Sequence, residues 1–234
     1  MAPDSVTDGS APLRWTWIGA ASGIGFVLVQ FAGFGVGAAS RGFERLTLDS
    51  TDAAVAEAVS APVPTAVWVG GYVELIAYLL FIVFTACLTA ALRSRPGRSA
   101  WPAYAVLAGG VMGVSTSMIG YATEGAAYLR AGEGIDPTVA RVLLDVANIA
   151  FILVWGALAV LLLAAAASHL LRQWLRVTAA VLGTVFLVAF VQPSLPIGEI
   201  ADLALWAWVI AACVSLTLQA RRSTRTLDLE PEAT

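Results

Sequence analysis

Residues 66–92, AVWVGGYVELIAYLLFIVFTACLTAAL, hold a single charged side chain, Glu74. A helix rises about 1.5 Å per residue, so this run crosses a hydrocarbon core of about 30 Å. Five further stretches have the same character: 15–40, 101–127, 141–169, 174–192 and 197–219. In lipid each backbone polar group needs a partner within its own segment, so every stretch is expected to be a helix. The predicted fold class is therefore all-α, a bundle of six transmembrane helices in a multi-pass cell-membrane protein. Composition agrees, with 59% hydrophobic residues, 12% charged residues and a mean hydropathy of +0.82. A soluble domain of 234 residues has too little interior to hide that much apolar surface.

Arginine sets the expected orientation. Nine of the 13 basic residues, from Arg14 through Arg93, Arg95, Arg98, Arg172 and Arg176 to Arg221, Arg222 and Arg225, fall on one side of the six spans. Arg41, Arg45, Arg130 and Arg141 fall on the other, so both termini are expected in the cytoplasm. The expected organisation is a disordered tail over 1–14, a transmembrane domain over 15–219 and a second tail over 220–234. The one long connection, 41–65, is expected outside; Asp49 and Ser50 are candidate caps for a short TDAAVAEAV helix, which makes the segment either a lid or an ordered spacer.

Glu74 is the anomaly. It lies about 10 Å inside the apolar run counted from Val67, where a carboxylate costs on the order of 3 kcal/mol and is expected to face a partner, a cavity or a ligand. Other polar groups fall at similar depth in neighbouring spans: Glu124, Asp145, Asn148, Glu199 and Asp202, with Trp68, Tyr72, Tyr78 and Tyr121 nearby and Gln30 and Gln192 as amides. One reading gathers Glu74, Tyr78, Tyr121, Glu124, Asp145, Asn148, Glu199 and Asp202 around a shared outward-facing acidic cavity that takes a cation, a proton or a cationic small molecule. The plainer reading distributes them: Arg141 and Asp145 pair four residues apart, and Glu199 and Asp202 suit a helix N-terminus. Glycines four apart, Gly19 and Gly23, Gly33 and Gly37, and the ridge Gly109, Gly113, Ser117, Gly120, are expected to be helix-packing faces. On that basis the second functional reading is a non-catalytic module packing a partner membrane protein or a second copy. A lipid- or quinone-binding enzyme is the third.

Several chemistries are excluded by residue type. Without lysine there is no Schiff base, and the single histidine, His169, cannot build a zinc site, paired haem ligands or a base beside Ser115 or Ser117. Cys87 and Cys213 stand in separate apolar runs and read as small hydrophobes. A net charge of −3 argues against nucleic acid. No cofactor is expected, although the carboxylates offer oxygen ligands suited to a hard divalent cation.

The passages SHLLRQWLRVTAAVLG and PIGEIADLALWAWVIA resemble those of uncharacterised bacterial six-helix integral membrane proteins. In these a basic-Trp-Leu turn leads into the fifth helix and an acid opens the sixth; the turn here carries no proline. The resemblance implies the same six-helix fold and a membrane location, and brings no substrate.

Overall fold

The computed structural model describes residues 11–40, 46–93, 99–168, 170–195 and 197–227, with side chains from 16 to 221. The expectations placed on Arg41, Arg45, Arg95, Arg98, His169 and the two chain ends lie outside the described residues. Among the described residues seven helices form: α1 (Ala11–Ser40), α2 (Asp52–Ala58), α3 (Thr65–Arg93), α4 (Trp101–Leu129), α5 (Pro137–Ala167), α6 (Gln173–Val191) and α7 (Ile197–Leu227). All but α2 are long and apolar enough to cross a membrane. Helix α1 begins at Ala11 and α7 runs to Leu227, so the helices take in parts of both expected tails. Pro12 sits in the first turn of α1, where its missing N–H costs nothing, and no glycine or proline interrupts 199–227.

The six long helices close into a ring, each packing on two neighbours in the order α1, α3, α4, α5, α6, α7 and back to α1. Every seam is antiparallel where contacts are resolved along it. On α1 and α3, Gly19 meets Cys87 while Gly33 meets Glu74; on α4 and α5, Gly109 meets Leu161 while Gly120 meets Phe151. The core runs through the ring, with Phe84, Leu161, Leu162, Leu175, Phe186 and Val209 almost fully buried. Outward faces carry Leu28, Phe31, Ile76, Leu79, Val142, Ile149, Val181 and Leu203, the surface a lipid environment requires.

The glycine ridges are used inside the chain. A Cβ on Gly70 would stand 2.8 Å from the carbonyl oxygen of Gly33, and one on Gly109 2.7 Å from that of Ala157, so backbones touch at both seams.

A second apolar cluster caps one face. Leu46, Val55, Ala58 and Val59 pack on Ala127, Tyr128, Ala131, Ala140 and Leu144. Thr51 caps α2 by accepting from the Ala54 N–H, one residue beyond the expected caps; Ser50 instead accepts from the Thr47 N–H and closes the preceding turn. Gly132, at a φ of +76° between α4 and α5, donates its N–H to Val59 and fits against Pro62. At the start of α5 the Asp136 carboxylate accepts from the Thr138 N–H and Pro137 fills the first turn, the cap legible in the sequence. The opposite face is closed by arginines on aromatic rings, Arg93 over Tyr104 at 5.3 Å and Arg221 over Trp17 at 4.8 Å.

Candidate functional site

The seam between α1 and α3 is tightest where Gly33 and Gly37 face Gly70, and one turn further along α3 stands Glu74. Its side chain lies flat on α1: a Cβ on Gly33 would come within 2.7 Å of Glu74 Cγ. Only 8% of Glu74 is exposed. Two neutral donors from other helices reach the same oxygen, Oε2: Gln30 of α1 donates its Nε2–H at 2.9 Å, and Tyr121 of α4 donates its hydroxyl. Gln30 is itself buried, and its second amide atom, Oε1, has no hydrogen-bond partner. A buried amide oxygen left unmatched costs on the order of 1–3 kcal/mol.

The site extends along the inside of the ring. Tyr121 meets Tyr78 with ring centroids 5.9 Å apart and Phe151 edge-on at 5.5 Å. The Tyr78 hydroxyl stands against Ser117 and Tyr121, within electrostatic reach of Glu74 and Asp202. Glu74, Gln30, Tyr121, Tyr78 and Ser117 therefore form one polar group contributed by α1, α3 and α4, in which Glu74, Gln30 and Ser117 are buried and the two tyrosines half-buried.

The remaining sequence candidates go elsewhere. Glu124 and Asn148 line a crevice between α4 and α5, together with Leu46, Tyr128, Leu144 and Phe151. Its space is about 10 Å³, room for a single water. Asp145 pairs with Arg141 at 3.1 Å, as the plainer reading expected. The same guanidinium donates to the carbonyls of Leu48 and Ser50 and lies 3.5 Å from Asp52, so Arg141 and Asp145 clamp the loop. Glu199 is exposed on the first turn of α7 and Gln192 is exposed at the end of α6. Tyr72 points outward, while Trp68 packs near Gly125. Among the described residues no three acids, cysteines or histidines converge as a metal site would need. A second small cavity, apolar and lined by Gly19, Phe84, Cys87 and Cys213, lies toward the other face; Glu74 borders neither.

Sequence reasoning passed over Phe151, and read Ser117 as a small packing residue without a histidine base beside it. Gln30 carried a usable signal. It is the single amide in the first apolar run and lies three and seven residues before Gly33 and Gly37, on their face of the helix.

Six apolar antiparallel helices in a ring, enclosing a hydrogen-bonded carboxylate, define a multi-pass α-helical membrane protein. No family model, curated protein or solved structure matches this chain.

Proposed function

We propose that this membrane protein binds and releases a proton at Glu74, and that proton-linked transport or sensing across the bilayer is its activity. Of the three ligands compatible with an acidic site, a proton is the one that needs no void, and Glu74 lies in a close-packed seam. The carrying observation is the arrangement of Gln30. Its Nε2–H and the Tyr121 hydroxyl both donate to Glu74 Oε2, as a carboxylate requires, and its orphaned Oε1 is the acceptor that a carboxylic acid O–H would require after the amide turns over. Each protonation state thus has its own hydrogen bonds from the same side chains. Neither alternative finds comparable support: the glycine ridges are covered by α3 and α5 of this chain, and the apolar cavity beside Cys87 is about 20 Å³, too small for a lipid-like substrate.

The test is infrared difference spectroscopy of the purified protein in lipid nanodiscs across a pH titration, with proton flux measured in proteoliposomes. Wild type is expected to show the carbonyl stretch of one protonated carboxyl appearing and vanishing with pH, and Glu74→Gln to lose it together with the flux. A Glu74→Gln protein with the wild-type spectrum and wild-type flux removes Glu74 from the function.

A further inference from the structure

A carboxyl in a close-packed seam, with only 8% of the residue exposed, needs a route by which protons reach it. The side chains around Glu74 can be taken element by element. Helix α1 presents Gln30, and no acid or base occurs in its apolar run from Trp15 to Ser40. Helix α3 itself adds Tyr78, and α7 brings Asp202 within electrostatic reach of Tyr78. Helix α4 adds Tyr121 and, three residues on and so on the same side, Glu124. This last direction leads to a crevice, which Glu124 lines together with Leu46. Phe151 belongs to both places, lining the crevice and standing edge-on against the Tyr121 ring.

We propose that Glu124 is the entry residue for the proton bound at Glu74, that Tyr121 is the relay between them, and that Phe151 is the apolar barrier separating crevice from seam. The inference rests on Glu74 being the proton-binding group. In the inward step the Glu124 carboxyl O–H breaks and its proton passes, by a water that slips past Phe151, to the Tyr121 oxygen. The proton already on that oxygen crosses its hydrogen bond to Glu74 Oε2. One O–H is lost at Glu124, one is exchanged at Tyr121 and one is formed at Glu74. The phenol ends as it began, the negative charge has moved to Glu124, and nothing is oxidised or reduced. A hydronium ion arriving from the outer solution through the crevice then returns a proton to the Glu124 carboxylate and leaves as water. The Glu74 O–H finds Gln30 Oε1, the buried acceptor that otherwise has no partner.

The experiment follows the Glu74 carbonyl stretch after a rapid pH jump applied to the full chain in nanodiscs. Glu124→Gln and Tyr121→Phe are expected to slow its appearance by on the order of 10²-fold, the scale of one positioned proton-transfer group. Phe151→Ala is expected to speed it by opening the barrier to water, and Leu144→Trp, which fills the crevice without touching an acid, to slow it. Glu199→Gln, on the exposed start of α7, is expected to keep the wild-type rate. Wild-type rates in both Glu124→Gln and Leu144→Trp, with the Glu74 band still titrating, overturn the entry route and leave the proton site standing. A Glu74 band that never titrates in wild type overturns both.

Discussion

Adding one methyl group at Gly70 tests whether the α1 and α3 seam is set by backbone contact. A Cβ there would lie 2.8 Å from Gly33 O, 2.8 Å from Gly37 N and 2.9 Å from Gly37 Cα, all rigid backbone. Bringing 2.8 Å to the 3.4 Å of ordinary contact requires the helices to part by about 0.6 Å. Overpacking of that kind costs about 1–3 kcal/mol. The same displacement would stretch the Gln30 to Glu74 hydrogen bond from 2.9 Å to about 3.5 Å, the limit at which it counts as one. Gly35→Ala is the matched control: it lies on the same turn region of α1, nothing stands within 4 Å of its Cβ, and it receives only the helix-propensity gain of about 0.5–1 kcal/mol. At about 2–4 °C per kcal/mol for a chain of this size, the overpacking term separates the two variants by about 2–12 °C. Heating the detergent-purified proteins and measuring the fraction that stays monodisperse gives the midpoints. Gly70→Ala is expected to melt below wild type and Gly35→Ala at or above it. If the two melt together, the seam is not held by backbone contact and the site built on its register falls with it.

Other substitutions probe the loop clamp and the remaining seams. Arg141→Gln removes the donors to Leu48 O and Ser50 O and the ion pair to Asp145; with the guanidinium three-quarters buried, the loss is about 1–3 kcal/mol, and amide exchange over 46–59 should quicken by about ten- to a hundredfold. Asp136 is held below its ordinary 3.8 by the backbone and side chain of Thr138, so its capping contribution is complete above that value and is lost as pH falls through the lower folded-state value. The Thr138 amide should therefore lose protection below about pH 3.8 in wild type, after correction for its intrinsic rate, and show no such step in Asp136→Asn. Gly109→Ala pushes a methyl onto Ala157 O at 2.7 Å and Leu161 N at 2.8 Å and should destabilise by about 1–3 kcal/mol. Gly113→Ala finds Ala157 Cβ at 3.7 Å and should be neutral or stabilising by up to about 1 kcal/mol, with thermal midpoints deciding.

The spans were legible because a bilayer fixes helix length, and the start of α5 because Asp136 and Pro137 act locally. That Glu74 turns inward was legible too, from the cost of the alternative. What it meets was not. Gln30 reaches Glu74 through the register of α1 on α3, set where Gly33 meets Gly70, and a four-residue spacing announces a contact face without naming its partner. Depth alone also misled. It grouped Asp145 with Glu74, yet Asp145 turns to Arg141, which reaches back across some 90 residues to the carbonyls of the loop. No local pattern encodes such a clamp. The cap of α2 moved by one residue because Ser50 and Thr51 have equivalent hydroxyls, and the choice was decided by the turn that Ser50 closes with Thr47.

The same packing constrains how a proton at Glu74 would be felt. Glu74 Cγ lies against the backbone at Gly33, and the glycines above it leave no slack, so α1 and α3 hold the carboxyl between fixed walls. Two parts remain free to answer a change of charge: the Gln30 amide, which can turn over in place, and Tyr121, whose hydroxyl comes from a different helix. The amide rotation stays local. The phenol does not, because Tyr121 is wedged between Tyr78 and Phe151 and carries any adjustment into the seams of α4 with α3 and α5. Helix α4 also holds Tyr128 under the Leu46 and Val59 cap, so the element that would read a proton at Glu74 is the one that supports the loop over the crevice. Under the proposed function, a site with Gln30 alone would store a proton, and Tyr121 would couple it to the face that holds the crevice.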